Sequence, residues 1–196
     1  AGSAIKTVTE FFYTVDALTS SNTNRVTGST SDIALVALGA MKSITEYTGN
    51  EGEEKAIKTY NYNYTGDVIK TITTFGYIAD ALDNSVTNRA GNVTGNTVEV
   101  TLGAKKSETF YTGNEGEEKA TRTYNYDYLG ATVKTTTSFN YIADALDNSV
   151  TVKGQDGLVK QSITTYTGNE GEEKAQKTYN FNYAGSAIKT VTEFFY

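Results

Sequence analysis

The chain of 196 residues has no cysteine, no histidine, no proline and no tryptophan. Each absence excludes something. Without Cys there is no disulfide staple and no thiolate metal or iron–sulfur site, although a large β-repeat needs no staple, so the redox compartment stays open. Without His the Ser-His and Cys-His pairs of nucleophilic catalysis cannot be built, and any metal would rest on carboxylates and carbonyls. Basic residues are in deficit, 17 Lys and Arg against 23 Asp and Glu for a net charge of −6. A chain of that sign lacks the basic face that a phosphate backbone requires, so nucleic acid is not an expected partner. Long apolar runs are missing as well. The longest, Ile33-Ala34-Leu35-Val36-Ala37-Leu38, is six residues, far short of a membrane span, and no membrane insertion is expected. No signal peptide is apparent, which in a window from a longer chain says nothing about targeting.

What the chain has in abundance is itself. Residues 1–13 read AGSAIKTVTEFFY, and residues 184–196 read the same without a change. Aligned on the Gly-x-x-x-Lys-Thr stretch, modules begin at Ala1, Thr65, Leu129 and Ala184, which divides the chain into 1–64, 65–128, a shorter 129–183, and 184–196 as the start of the next module. Adjacent modules are less alike: TGDVIKTITTFGY keeps only seven of the thirteen opening residues. The perfect match at the two ends therefore marks a longer period of 183 residues, as expected of a window cut from a longer array. Such repetition is read before anything else, because stacked units bury their apolar surface against neighbours instead of in one globular core.

Thr, Tyr, Phe, Val and Ile dominate the modules, and these side chains suit a pleated, half-buried surface. The first strand of each module alternates: Ile5, Thr7, Thr9, Phe11, Tyr13; then Ile69, Thr71, Thr73, Phe75, Tyr77; then Val133, Thr135, Thr137, Phe139, Tyr141. The opposite face drifts, Glu10 becoming Thr74 and Ser138, and Phe12 becoming Gly76 and Asn140. Period-2 alternation of this kind predicts one packed and one wet face. The constant Ile/Val–Thr–Thr–Phe–Tyr side is expected to be the inside, with Phe11, Phe75 and Phe139 in equivalent buried positions. An aromatic strand ends at Tyr64, Tyr128 and Tyr183, and each runs through an x-Gly step into the Thr-rich strand, which is hairpin chemistry. Further turns are expected at Asp83-Asn84-Ser85 and Asp147-Asn148-Ser149, and at the YTGNEGEEKA stretch that recurs at 47–56, 111–120 and 166–175. A short helical turn is expected, if anywhere, at 78–82. The nine extra residues of the longer modules, around Asn88–Asn96, are expected in an outer surface loop.

The expected fold is all-β: an elongated tandem-repeat antiparallel architecture, a β-solenoid or a spiralling β-sheet, with about four strands per module of 55–64 residues. Tyr124-Asn125-Tyr126-Asp127-Tyr128-Leu129-Gly130 fits Y-x-Y-D-x-x-G, and the corresponding stretches from Tyr60 and Tyr179 carry Asn for the Asp. This hairpin resembles the YD repeats of RHS-type proteins. The resemblance implies a long spiralling antiparallel sheet on a large bacterial secreted or surface protein, used as a shell or stalk and not itself catalytic.

The only clustered carboxylates are Glu51, Glu53 and Glu54 and their copies Glu115, Glu117, Glu118 and Glu170, Glu172, Glu173. Acid–base chemistry wants one asymmetric cleft, whereas three identical copies suit a solvated turn repeated with the architecture. Calcium is the alternative ligand, since carboxylates and carbonyls suit a hard cation, although the spacing matches neither an EF-hand nor a calcium-binding β-roll. No other cofactor is expected. Tyrosine rows at one module position read as an internal ladder, with a carbohydrate-stacking platform as the alternative. Asn63-Tyr64-Thr65 and Asn92-Val93-Thr94 are glycosylation sequons, Asn92 being placed in the outer loop, and the abundant outward Thr and Ser leave O-glycosylation open. The function expected is a structural segment of an extracellular fibre or cell-surface stalk, not an enzyme, whose partners are further copies of its own modules in the same chain or end to end. An adhesin-like array binding glycans or cells, and a YD-type shell around a toxin domain, are the alternatives.

Overall fold

The computed structural model describes residues 4–196; Ala1–Ser3, where the first module is expected to begin, lie outside the described residues. Its strands are β1 (Thr7–Thr14), β2 (Ala17–Thr27), β3 (Ala37–Thr48), β4 (Lys55–Tyr62), β5 (Ile69–Ile78), β6 (Ala81–Ala90), β7 (Leu102–Thr112), β8 (Lys119–Tyr126), β9 (Val133–Ile142), β10 (Ala145–Lys153), β11 (Lys160–Thr167), β12 (Lys174–Phe181) and β13 (Ile188–Glu193). They form one antiparallel sheet that does not close and whose strand order is the chain order. Among the described residues the sole helical piece is a 3-10 turn at Ile33–Leu35, capped by Asp32. The all-β antiparallel expectation therefore stands, and four strands fall within each of the stretches 1–64, 65–128 and 129–183. By internal contacts the chain divides into two units, Ala1–Gly76 with Val86–Ala104, and Tyr77–Ser85 with Lys105–Tyr196.

The hairpin turns sit elsewhere than Asp-Asn-Ser. Both residues of Val15-Asp16, Ala79-Asp80 and Ala143-Asp144 have positive φ, which is the two-residue type I′ turn that matches strand twist. Asp83-Asn84-Ser85 and Asp147-Asn148-Ser149 lie inside β6 and β10, and 78–82 carries this tight turn, not a helical one. The reason is register. Thr73 and Thr87 are bonded hydroxyl to hydroxyl at 2.8 Å, as are Thr137 and Thr151 at 2.9 Å, and centring the turn on Asp83 would slide these partners apart. A one-residue slip moves every side chain to the other face. Ser85 and Ser149 are buried, each hydroxyl meeting a tyrosine hydroxyl, Tyr111 at 3.2 Å and Tyr166 at 3.3 Å. Those tyrosines follow register shifts at Phe110/Tyr111 and Thr165/Tyr166, and such bulges re-aim a side chain.

The inner face also differs from expectation. In the first unit the core is Tyr60 (4% exposed), Ile69 (1%) and Ile72 (2%), with Ile44, Tyr62, Ala90 and Val100 packed against it. Ile44, Tyr60 and Ile72 lie directly opposite one another on β3, β4 and β5. In the second unit Glu108, Tyr124 and Thr136 occupy the corresponding row, and Tyr124 and Thr136 are buried. Ile69 is buried as expected, because the register shift at Asn61/Tyr62 sets it on the side of Tyr62 and Ile72, but beyond that shift the buried side of the Thr-rich strand is the drifting one that carries Ile72 and Thr136. It drifts because a loop of varying length covers it, not because water does. In the longer module the Tyr62 hydroxyl donates to Gly95 O at 2.9 Å, and Ile69 N donates to Thr94 O at 2.8 Å. Of the stretch expected as an outer surface loop, residues 88–90 belong to β6 and most of the rest is exposed, while the carbonyls of Thr94 and Gly95 are bonded to the sheet beside Ile69 and Tyr62. In the shorter module the Thr136 hydroxyl donates to Gly154 O (2.8 Å) and accepts from Asp156 N (3.0 Å). Phe75 and Phe139 are half-buried and Phe11, on outer strand β1, is 54% exposed, so the three are not equivalent buried residues. A strand with one neighbour covers only half of what an interior strand covers.

Candidate functional site

The recurrent acidic turn is the most chemically distinctive feature. Between β3 and β4 the chain turns through Gly49 and Gly52, both at positive φ, and Glu53 N donates to Asn50 O at 2.9 Å. Of its three glutamates, Glu51 and Glu53 are exposed and Glu54 is half-buried. The Glu54 carboxylate accepts two backbone N–H groups, Leu18 N at Oε1 and Gly52 N at Oε2, each 2.9 Å. Leu18 lies just past the β1–β2 turn, so one carboxylate ties two successive hairpin tips together. Glu118 repeats this, taking Leu82 N at 2.9 Å and Gly116 N at 3.0 Å. Glu173 takes Leu146 N at 2.9 Å. Charge-assisted bonds from backbone N–H groups are the stronger kind, and the Leu N–H holds the Glu54 and Glu173 carboxyls below the usual carboxylate range.

The remaining glutamates are divided among other roles. Glu53 and Glu117 accept from the turn amides of Asn50 (3.5 Å) and Asn114 (3.4 Å). Lys119 bridges Asp144 at 2.8 Å and Glu170 at 2.9 Å, drawing three successive turns of the second unit together. These side chains, with Gly113, Asn114 and Glu117, line an open polar depression of about 580 Å³. Glu51, Glu115 and Glu172 are exposed. Among the described residues no group of three or more His, Cys, Asp and Glu side chains converges as a metal site would need.

A depressed carboxyl pKa contributes stability above its unfolded value, and that stability is lost as pH falls through the folded one. Acid should therefore loosen the turns below the ordinary glutamate range. Glu54→Gln keeps one acceptor oxygen and places an NH₂ against the second N–H. It should lower Tm at pH 7, with the gap to the parent chain closing as acid protonates Glu54 itself. Thermal melts of both chains across that range check it; a gap that persists at low pH would show that the charge is not what matters.

The position of the YD-type Asp has an equally local duty. Asp127 Oδ1 accepts Ala131 N at 2.9 Å and Thr132 N at 3.4 Å, Asn182 Oδ1 accepts Ser186 N at 3.0 Å and Ala187 N at 3.4 Å, and Asn63 Oδ1 accepts Gly66 N at 2.9 Å. The turn needs a short side chain with an acceptor oxygen, which explains why Asn replaces Asp here. Both sequon amides are occupied: Asn63 Nδ2 donates to Asp67 at 2.7 Å, and Asn92 Nδ2 to Glu99 O at 3.1 Å.

The row that sequence reading missed is made of threonine. Thr45, Thr59 and Thr73 face one another across β3, β4 and β5, and Thr73 bonds Thr87. In the second unit Thr109, Thr123, Thr137 and Thr151 do the same, as do Thr164, Thr178 and Thr192. The signal was present as a spacing of 14 residues between bonded partners. Of the tyrosines, Tyr60 and Tyr124 are internal, whereas Tyr64, Tyr128 and Tyr183 stand beyond the strand ends and are exposed.

No family model matches this chain, and no curated protein matches it significantly. Among the described residues no helix is long and apolar enough to cross a membrane.

Proposed function

We propose that this chain is a structural segment of an extracellular fibre or cell-surface stalk, assembled from tandem four-strand modules. The observation that carries this is the recurrence of one clasp, Glu54, Glu118 and Glu173 each holding the backbone N–H of a leucine one hairpin earlier. A device that recurs once in each four-strand stretch and joins its two hairpin tips fits a repeated architecture and has no counterpart in a single reaction centre. Strand order equal to chain order in an unclosed sheet supports the same view, since such a meander extends by adding modules to one edge. Joining two and three copies of residues 1–183 in one chain tests it. The maximum dimension from small-angle X-ray scattering should rise linearly with copy number; growth that levels off, as a compact particle requires, would overturn the proposal.

One feature favours the adhesin-like alternative. Tyr64, Tyr128 and Tyr183 project at the same module position, 83%, 79% and 90% exposed, and exposed aromatic rings are stacking surfaces for sugars. Glycan-array binding that is lost in a triple Tyr→Ser variant would select that alternative.

A further inference from the structure

We infer that the basic strand ends of the second unit are a docking surface for another copy of this chain, which presents its acidic hairpin turns to them. The inference goes beyond the proposed function, which concerns growth within one chain, and names how separate chains meet.

In an antiparallel meander, successive connections fall at alternate ends of the strands. In the second unit 79–80, 113–118, 143–144 and 168–173 therefore share one end, while 127–132, 154–159 and 182–187 share the other. Counted with two strand residues on each side, the first set holds eight acids and two lysines, and the second holds two acids and four lysines. Charge is thus segregated along the strands, −6 at one end and +2 at the other.

The cations of the basic end are available. Lys134 and Lys160 are exposed. Lys153 donates to Tyr183 O and packs on the Tyr183 ring, 3.3 Å from its centre. Lys160 lies over the Phe181 ring at 5.9 Å. The two acids of this end are already engaged. Asp127 holds the N–H groups of Ala131 and Thr132, and Asp156 pairs with Arg122 at 3.0 Å. Tyr128 adds a ring beyond the strand end, 79% exposed.

The occupant that fits is the opposite end of a second copy. There Glu117 and Glu172 are exposed and lie outside the leucine clasp. The turn glycines Gly116 and Gly171 have nothing within 4 Å of a Cβ position, so bare backbone is open to an incoming ring. The depression of about 580 Å³ beside Glu117, Asp144 and Glu170 has room for a tyrosine ring and a lysine stem. Acidic turns and exposed tyrosines each recur once in every four-strand stretch, so a contact made at one turn is available again at the next. An acidic polysaccharide would meet the same cations but does not carry that period. Opposed charges outside a desolvated core steer and orient more than they bind, and copies of net charge −6 repel, so the contact is weak and governed by salt and concentration.

Sedimentation of the full chain at low salt should show association that rises with concentration. It should vanish at about 1 M salt, where the Debye length is about 3 Å. Two charge-reversed chains locate the contact. Lys153→Glu with Lys160→Glu reverses the docking end, and Glu53→Lys, Glu117→Lys and Glu172→Lys together reverse one acid in each acidic turn. Each chain alone should associate about tenfold more weakly than the parent. Mixed, the two should associate again, because the acidic end of the first meets the basic end of the second, and that recovery requires both to be folded. The triple reversal takes the net charge from −6 to zero, so stronger association of that chain than of the parent would show that overall repulsion decides and would overturn docking. A parent chain that stays monomeric at low salt, or a mixture that does not recover, overturns it too. A monomeric parent that binds polygalacturonate, with binding lost in the Lys153→Glu, Lys160→Glu chain, would assign this end to an acidic glycan instead. Concatenated forms that lengthen linearly but never associate would reject docking alone; association of forms whose length levels off would reject the proposed function alone.

Discussion

Ile72→Ala should destabilise the first unit by about 2–5 kcal/mol, the range for emptying a buried aliphatic site. Ile72 is 2% exposed, directly opposite Tyr60, and belongs to a cluster that also holds Ile69, Ile44, Ala90 and Val100. In a sheet with so few buried apolar residues nothing else replaces those contacts. Tyr60 would lose one side of its enclosure, and Ala90 and Val100, at the two ends of the covering loop, would lose the surface they rest on. Chemical denaturation of the parent and variant chains measures the loss; a change below about 1 kcal/mol would mean that the loop collapses into the space. At the corresponding position Thr136 is equally buried but holds its shorter loop with two hydrogen bonds. One site thus works by apolar filling and the other by polar satisfaction, and the loop above each dictates which.

The second large effect is expected at the acidic turns. Gly49→Ala should cost at least about 1–3 kcal/mol, the scale of backbone strain held by a residue in a disfavoured region. Gly49 sits at φ +128°, and a Cβ there would stand 2.5 Å from Glu53 O, a backbone atom of the same turn. Gly113 and Gly168 have the same geometry against Glu117 O and Glu172 O. Relieving the clash moves the chain just before Glu54 and so pulls the carboxylate off Leu18 N. Gly52 is the control, because at φ +80° it has nothing within 4 Å of a Cβ, and Asn tolerates that region. Gly52→Asn should therefore melt close to the parent chain while Gly49→Ala melts well below it. Equal melting of the two variants would show that the turn adapts.

Much of this protein is determined by sequence alone. Alternating Thr, Tyr and Phe, the glycine turns and the repeated modules lead to an all-β antiparallel meander, because pleat period, turn chemistry and repetition are local properties. Which face is inner is not legible, since constancy between modules resembles the mark of burial yet belongs here to the threonine ladder. The constant face carries the threonine ladder, whose hydroxyls satisfy one another in place. The variable face is buried under loops of different length, and Ile72 and Thr136 answer to those loops, a tertiary relation that no strand period encodes. Turn position was legible only through the 14-residue threonine spacing; without it, Asp-Asn-Ser has the better turn composition. The glutamates were visible as a cluster, but their division into one clasp and two surface residues depends on where a leucine N–H lies 36 residues away for Glu54 and Glu118 and 27 residues away for Glu173. Only the folded sheet brings such groups within 3 Å, because a hydrogen bond requires two atoms in place at once and sequence specifies them separately.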